Sequence, residues 1–272
     1  MTVMRDSKYL LGVIVFFLLC LLPAVARTNS VKQTFLDYLS KELTRSFNQI
    51  DKSLATAAKE LAKNELPGDE ARRIVHQLYA TNIVAVDCAL VSPKGIMTIL
   101  EPAKYHSHEG AGISQQPQII TLHKTKKPVM SKSIKMVEGF NAIDLEYPII
   151  SDQGQLLGSV SLLVKPESMI GKIVEKNKKN SPFDVWVMQL DGRILYDLDS
   201  KQIGKVLFSD PLYRPYPDLL KLGKKIVKQK SGTGRYTFVA PGLNKPVKKE
   251  AFWTTVSLYG TDWRVVTVRL LP

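Results

Sequence analysis

Apolar residues between positions 31 and 66 fall on one face of a long helix. Eight of them recur at spacings of three or four, which is the pattern of a single apolar stripe. At 1.5 Å per residue, such a helix extends roughly 54 Å. Because one small domain does not need so long a helix, we expect it to run along two modules or to pair with a second chain. The stripe comprises Phe35, Leu39, Leu43, Phe47, Ile50, Leu54, Ala58 and Leu61.

A second, shorter helix is expected directly after the first. Pro67-Gly68 is predicted to end the long helix. Asp69 is then placed to cap a helix that continues to about Tyr79.

Beyond residue 84 the pattern changes to short apolar runs that pair into four hairpins. The third hairpin is FDVWVMQLDGRILYD at residues 183–197, with Asp191-Gly192 between its two runs. Asp-Gly favours a two-residue type I′ turn, which matches the twist of the flanking strands. The other three turns are expected at 92–95, 151–154 and 259–262.

The order of these elements repeats along the chain. A hairpin, a polar connection, a single strand and a second hairpin occur twice, with the single strands predicted at 130–136 and 235–240. Each repeat would form a five-stranded antiparallel sheet that its helical connection covers on one face. A pocket can remain between the sheet and the connection. The predicted fold is therefore α+β, with a long N-terminal helix and two sheets in tandem.

The first 26 residues have the layout of a secretory signal peptide. Arg5 and Lys8 precede an apolar run, and Ala24-Val25-Ala26 offers small residues for cleavage. The alternative is an uncleaved membrane anchor, since the run approaches the roughly 17 residues that span a bilayer. In either case the remaining chain is expected to be periplasmic or secreted.

Five segments follow from these patterns. We expect a signal peptide at 1–26, N-terminal helices at 27–81, unit one at 82–165, a linker helix at 166–180 and unit two at 181–272. No cytoplasmic output domain is expected after unit two.

Composition narrows the function classes. The chain carries a net charge of +13 and two cysteines, and only Cys88 remains after the signal peptide, so no internal disulfide is expected. The basic surface can attract anionic lipid, polysaccharide or an acidic partner, but no nucleic-acid recognition motif accompanies it. Nucleophile elbows, zinc-protease motifs and phosphate loops are all missing from the sequence. We therefore expect neither an enzyme nor a cofactor.

Several stretches of unit two resemble a known sensor module. VWVMQLDGRILYDLDSKQIGKVLF, DPLYRPYPDLLKLGKKI, SGTGRYTF and TTVSLYGTDWRVVTV are similar to the hairpin and second half of a Cache module. Together with the predicted signal peptide and the long helix, these stretches make the chain resemble the double Cache ligand-binding domains of bacterial extracytoplasmic sensors. The resemblance covers about residues 31–270 and implies two PAS-like units. Unit one lacks the Arg-x-Trp-Tyr cluster of the amino-acid-binding members, so an amino-acid ligand is not expected.

Unit two contains the residues best suited to a small organic anion. Tyr213, Arg214 and Tyr216 could hold a carboxylate ligand through a bidentate guanidinium contact and two aromatic walls. The alternative is that both tyrosines fill the core and that Arg214 pairs with a local acid. Further candidates are Asp210 in the same segment and Trp186 and Tyr196 on the preceding hairpin.

Unit one offers a second set of candidates, Tyr105, His106, His108 and His123. The segment YHSHEG could contact a ligand, bind a metal with Glu109, or form a solvated loop. Among double Cache relatives the first unit more often holds the ligand. The carboxylate-binding chemistry, however, favours unit two.

We therefore expect an exported Cache-type small-molecule sensor that acts through a separate membrane-bound signalling partner. A homodimer through the N-terminal helix is a further expectation. The alternatives are a PAS-like module for protein or envelope contact and a periplasmic metal binder.

Overall fold

A computed structural model describes residues 24–177, 181–239 and 245–271, with side chains from residue 35 onward. The predicted signal peptide lies outside this range, apart from residues 24–26. No helix in the described part is long and apolar enough to cross a bilayer. The helices are α1 (Ala24–Leu61), α2 (Asp69–Thr81), α3 (Pro117–Thr125), α4 (Pro166–Glu175) and α5 (Pro217–Lys228).

Eleven strands in the described ranges form two antiparallel sheets. Sheet one has the order β2-β1-β6-β5-β3 with β4 also paired to β5, and sheet two has the order β8-β7-β11-β10-β9. When β3 and β4 are counted as one interrupted strand, the order within each unit is 2-1-5-4-3, so the predicted α+β repeat is confirmed. The strands are β1 (Ala85–Val91), β2 (Met97–Glu101), β3 (Val129–Met130), β4 (Ile134–Lys135), β5 (Asn141–Ile150), β6 (Leu156–Val164), β7 (Asp184–Gln189), β8 (Ile194–Asp197), β9 (Gly232–Val239), β10 (Pro246–Leu258) and β11 (Thr261–Leu270).

The single strand predicted at 130–136 is instead two short strands, which gives sheet one six strands rather than five. The break covers residues 131–133, and the backbone N–H of Ser133 donates to the side-chain oxygen of Gln189 at 3.0 Å. Gln189 belongs to sheet two. The strand is interrupted because this N–H bonds to unit two rather than to β5.

The two-residue turn predicted at Asp191-Gly192 is wrong. Gly192 has a φ of 91°, and the N–H of Gln189 donates to Arg193 O at 3.0 Å. Gln189 and Arg193 therefore enclose a three-residue loop, in which Gly192 occupies the left-handed region of backbone conformation. The turns at 92–95 and 151–154 have the same bonding pattern. The two-residue turn is found at Tyr259-Gly260, where both residues have positive φ.

Helix α1 packs along both sheets. All eight stripe residues are buried in one core with residues of β1, β5, β6, β7 and β11. Phe47 meets Trp263 of sheet two edge-on, with ring centroids 5.0 Å apart. The first of the two sequence alternatives is thus correct, and α1 serves two modules. The helix ends at Leu61, before Pro67, and the cap of α2 is Gly68 rather than Asp69.

Each sheet therefore has two different faces. One face packs on α1, and the other is covered by that unit's connection. In unit two the covering elements include α5, and a second apolar core lies beneath them. In unit one they include α3, with a smaller apolar cluster. Both candidate sites described below lie on these covered faces.

Candidate functional site

A small cavity lies between sheet two and its connection. Its volume is about 40 Å³, room for about three water-sized groups. The walls are partly aromatic, and polar groups converge on the space from β8, β10 and the connection. The lining consists of Asp184, Val185, Trp186, Ile194, Asp197, Leu198, Gln202, Leu207, Tyr213, Leu219, Tyr236, Phe238, Lys249 and Val268.

Three ionisable side chains line this cavity, Asp184, Asp197 and Lys249. Burial raises the pKa of Asp197 to about 7, although its hydrogen bond from the Asp199 N–H acts in the opposite direction. Burial also lowers the pKa of Lys249, and its ammonium donates to Val239 O at 3.2 Å. Asp197 and Lys249 are both held in a poorly solvated environment, where an added ligand charge interacts strongly.

Two tyrosines add hydroxyl groups to the cavity. Burial raises the pKa of Tyr213 and of Tyr236, so both stay neutral O–H groups at physiological pH. The Tyr213 hydroxyl donates to Gln202 Oε1 at 3.4 Å. A lysine ammonium and neutral hydroxyls are groups that can donate to a small anion.

The structure brings together only some of the residues predicted for unit two. Trp186 and Tyr213 line the cavity, whereas Arg214 is exposed and lies outside the lining. Asp210 caps a short turn by accepting from the N–H of Leu212 at 2.9 Å.

The two remaining candidates of unit two pack elsewhere. Tyr216 packs edge-on against Phe238 at 4.8 Å. Tyr196 belongs to the core on the α1 side of sheet two, because it points to the face opposite the cavity. In this structure neither ring reaches the cavity lining.

Lys249 and Asp197 are cavity residues that sequence reasoning missed. Lys249 alternates with the buried Ala251 and Trp253 along β10, so it shares their face. That period of two is visible in the sequence. Lys249 nevertheless lies in a run of basic residues, and such a run is typical of a solvated surface rather than of a buried strand face.

The predicted histidine segment of unit one lies at the edge of sheet one. Arg72 of α2 contacts Glu101 at 3.1 Å and Glu109 at 2.9 Å. His76 and His106 approach Glu101 at 3.1 and 3.3 Å. Burial alone would raise the pKa of Glu101, but hydrogen bonds from His76, Arg72 and His106 lower it.

This network joins α2 to β2 and the turn after it. The described residues contain no group of three or more His, Cys, Asp or Glu side chains placed to hold a metal ion, so the metal alternative has no supporting cluster. Tyr105 lies 6.4 Å from His108, ring to ring. His123 is on α3, and its buried Nε2 has no hydrogen-bond partner among the described residues.

A buried acidic cluster on the covered face of sheet one was not predicted. It consists of Asp87 on β1 and of Asp144 and Glu146 on β5, which are 3%, 5% and 0% exposed. Burial, then neighbouring negative charge, raises the pKa of Asp87 to about 8. Burial raises the pKa of Asp144 to about 6, and burial with the charge of Asp144 raises that of Glu146. The alternation of acids in IDLEYP is the sequence signal that could have revealed it.

The architecture defines the class of domain. Two sheets of order 2-1-5-4-3, each with a covered face, follow a long N-terminal helix, which is the double Cache-like arrangement of bacterial ligand-binding sensor domains. Residues 45–166 match the family model described as HK/GC/Chemotaxis protein-like, sensor domain. No curated protein matches the chain.

Solved structures of bacterial receptors share this fold. The extracellular ligand binding receptor from Desulfohalobium retbaense is 36% identical, with a TM-score of 0.74, over 86% of this chain and 39% of the receptor chain. The periplasmic sensory domain of the Campylobacter jejuni chemoreceptor Tlp1 is 13% identical, with a TM-score of 0.63, over 90% of this chain and 95% of its own. The ligand-binding domain of the Pseudomonas fluorescens chemoreceptor CtaA, solved with L-alanine, is 13% identical, with a TM-score of 0.65, over 89% and 97%.

The chain thus has the double Cache-like fold, residues 45–166 are similar to a sensor domain, and the similar receptors named here are extracellular or periplasmic. The chain spans about two fifths of the length of the Desulfohalobium receptor.

Proposed function

We propose that this protein is an exported sensor that binds a small carboxylate in the cavity of unit two and passes its state to a separate membrane-bound signalling partner. The observation that carries the proposal is the cavity itself, which a buried lysine and two neutral tyrosines line beneath the connection.

The size and the donors of the cavity favour a compact anion. A volume of about 40 Å³ suits the head group of a two- or three-carbon acid. Lys249 supplies the positive charge, and the tyrosine hydroxyls supply neutral donors. A charge-assisted hydrogen bond of this kind contributes about 1.5–3 kcal/mol, which corresponds to roughly ten- to a hundredfold in affinity.

Sheet two offers a route from the cavity to α1. Its opposite face packs on α1 through Trp263 and Phe47, and the Tyr259 hydroxyl donates to the Asp51 carboxylate. A shift of the sheet on ligand binding would move these contacts. Binding of the partner would then depend on the position or on the exposed face of α1.

The test compares neighbouring lysines on opposite faces of β10. We would screen acetate, propionate, lactate and pyruvate by thermal shift and then titrate the best hit by calorimetry. Lys249→Met should weaken binding at least tenfold, whereas the exposed Lys248→Met should leave it unchanged. Arg214→Ala should also bind normally, because Arg214 lies outside the cavity lining.

Equal binding by Lys249→Met and wild type would overturn the assignment of the cavity. A folded wild-type protein that no carboxylate stabilises would favour the second candidate, a PAS-like module for protein contact. The observation that favours this second candidate is the small volume of the cavity, about 40 Å³, between side chains that include Trp186, Tyr213 and Phe238.

A further inference from the structure

We infer that the outer surface of helix α5 binds an anionic phospholipid bilayer. This surface, the α5 face, consists of a row of lysines on α5 and two exposed apolar side chains beside it. Its residues are Lys221, Lys224, Lys228, Phe208 and Leu190. None of the five lines the cavity beneath the connection, so the inference does not rest on the proposed carboxylate site.

The three lysines form a row because of their spacing on the helix. Lys221, Lys224 and Lys228 are three and four residues apart, and side chains at these spacings share one face of an α-helix. The opposite face of α5, from Leu219 to Ile226, packs into the second apolar core. All three lysines therefore point away from the protein, and all three are exposed.

Acidic side chains do not balance this row. Asp218 is the only acid in α5, and its carboxylate already accepts from the N–H groups of Leu219 and Thr237 at 2.9 and 2.6 Å. The ion pairs among the described residues involve none of the three lysines. The exposed face of α1, by contrast, mixes cations with acids, as in the pair of Arg45 and Glu42.

Helix stability does not account for the row. Like charges three or four residues apart weaken a helix, and Lys221 is so placed relative to Lys224 and Lys225. Cations are favoured only in the last turn, which contains Lys225 and Lys228. Lys221 and Lys224 lie before that turn, and their charges are complementary to an anionic partner outside the chain.

Exposed apolar side chains border the row. Phe208 and Leu190 are 38% and 39% exposed. A Cβ at Gly223 of α5 would lie 3.2 Å from the Phe208 ring. A Cβ at Gly192, in the same turn as Leu190, would lie 2.5 Å from that ring. The ring is therefore held between α5 and the β7–β8 turn while part of it remains in contact with solvent.

This combination suits a lipid bilayer better than a polysaccharide. At an anionic bilayer, lysine ammonium groups attract the lipid phosphates, while aromatic and leucine side chains enter the interface. Lysine binds phosphate as a flexible point charge, which matches the open outer surface of a helix. An anionic polysaccharide would satisfy the charges but leave Phe208 and Leu190 in water. Contact with the bilayer would also keep the protein where its membrane-bound partner is proposed to lie.

The experiment measures vesicle binding by the protein purified after export. Co-sedimentation compares vesicles of phosphatidylcholine with phosphatidylglycerol against vesicles of phosphatidylcholine alone. The protein should bind only the anionic vesicles, and added salt should weaken binding because it screens the charges. The triple variant Lys221→Gln/Lys224→Gln/Lys228→Gln should bind at least about tenfold more weakly, since each lysine near an anionic bilayer contributes roughly fivefold.

A second triple variant controls for net charge. Lys41→Gln/Lys52→Gln/Lys59→Gln removes the same number of charges from the exposed face of α1 and should bind as wild type does. Leu190→Ser should weaken binding without changing its salt dependence, because it removes an apolar contact and no charge. Lys249→Met should bind vesicles normally, so this inference and the carboxylate proposal fail separately. Circular dichroism checks that each variant is folded.

Equal losses in the two triple variants would show that binding follows net charge alone, and the inference would then be wrong. It would also be wrong if wild type bound both kinds of vesicle equally or neither of them. Binding to dextran sulfate without binding to anionic vesicles would replace the bilayer with an anionic polysaccharide. Wild-type binding by Leu190→Ser would overturn the assignment to lipid, since that assignment requires the apolar contact.

Discussion

Asp87 is 3% exposed, and burial raises its pKa to about 8, well above the roughly 3.9 of an unfolded aspartate. The folded protein therefore holds a proton that the unfolded chain releases between these values. Asp144, with a pKa of about 6, acts in the same direction over a narrower range. These buried carboxyls destabilise the fold when they ionise.

We predict that stability falls as pH rises from about 4 to about 8. Because the native state binds more protons than the unfolded state in this window, the free energy of unfolding decreases with pH. Asp87→Asn should flatten this slope, since the amide has no proton to lose. Urea denaturation of both proteins at pH 5, 6.5 and 8 measures it. Equal slopes in the two proteins would contradict the raised pKa of Asp87.

Asp197 gives carboxylate binding its own pH dependence. With a pKa of about 7, it loses its charge as the pH falls below 7 and ceases to repel an anion, while Lys249 stays close enough to attract one. Affinity for the best carboxylate should therefore rise several-fold between pH 8 and pH 6. Asp197→Asn should bind with little change over this range, and an unaltered pH profile in this variant would contradict the mechanism.

At the scale of the element, α1 matters because one stripe contacts both sheets. Phe47 is 1% exposed and packs on Trp263. Phe47→Asp should lower the free energy of unfolding by about 3–5 kcal/mol, because it removes a buried ring and buries an unpaired charge. The neighbouring Asn48→Asp introduces the same acid at an exposed position and should change stability by less than about 0.5 kcal/mol. Similar melting temperatures for the two variants would show that the stripe is not buried.

Two glycines in hairpin turns allow a second comparison between matched substitutions. Gly154 and Gly192 have φ of 76° and 91°, and a Cβ at Gly154 would meet nothing within 4 Å. Gly154→Ala should therefore cost only the left-handed backbone, about 1–2 kcal/mol. A Cβ at Gly192 would lie 2.5 Å from the Phe208 ring, so Gly192→Ala should cost more. Chemical denaturation of the two variants tests the order, and equal losses would mean that Phe208 moves aside freely.

For the whole molecule, the two units share one core along α1, in addition to the separate apolar clusters under their connections. Residues from α1, α2, α4 and both sheets belong to a single apolar cluster. Direct hydrogen bonds also join the sheets, from Ser133 N–H to Gln189 at 3.0 Å and from the Thr261 hydroxyl to Met130 O at 2.8 Å. A structural shift at the covered face of one sheet can therefore be transmitted to the other unit through α1.

We expect the chain to unfold in one cooperative transition. Separation of the units would expose the α1 stripe along its whole length, which is unfavourable in water. Differential scanning calorimetry should give a calorimetric enthalpy equal to the van't Hoff enthalpy. Two resolved transitions would show that the shared core does not couple the units.

Local sequence determined much of this architecture. The stripe of α1, the four hairpins and the repeated strand order follow from apolar periodicity and glycine positions, because these signals depend on residues close together in the chain. The same local patterns carried the resemblance to Cache sensors. Their limits appear at Asp191-Gly192, where the loop length depends on how the flanking strands pair.

Only the tertiary structure decided which side chains share a site. Arg214 and Tyr196 stand near the predicted pocket in sequence, but one points to solvent and the other to the α1 face. Lys249 reaches the cavity of unit two, and Asp87 joins Asp144 on sheet one, from distant strands. The reason is physical: a site forms where strands far apart in sequence pair in register and a connection folds over them, and no local pattern encodes that pairing.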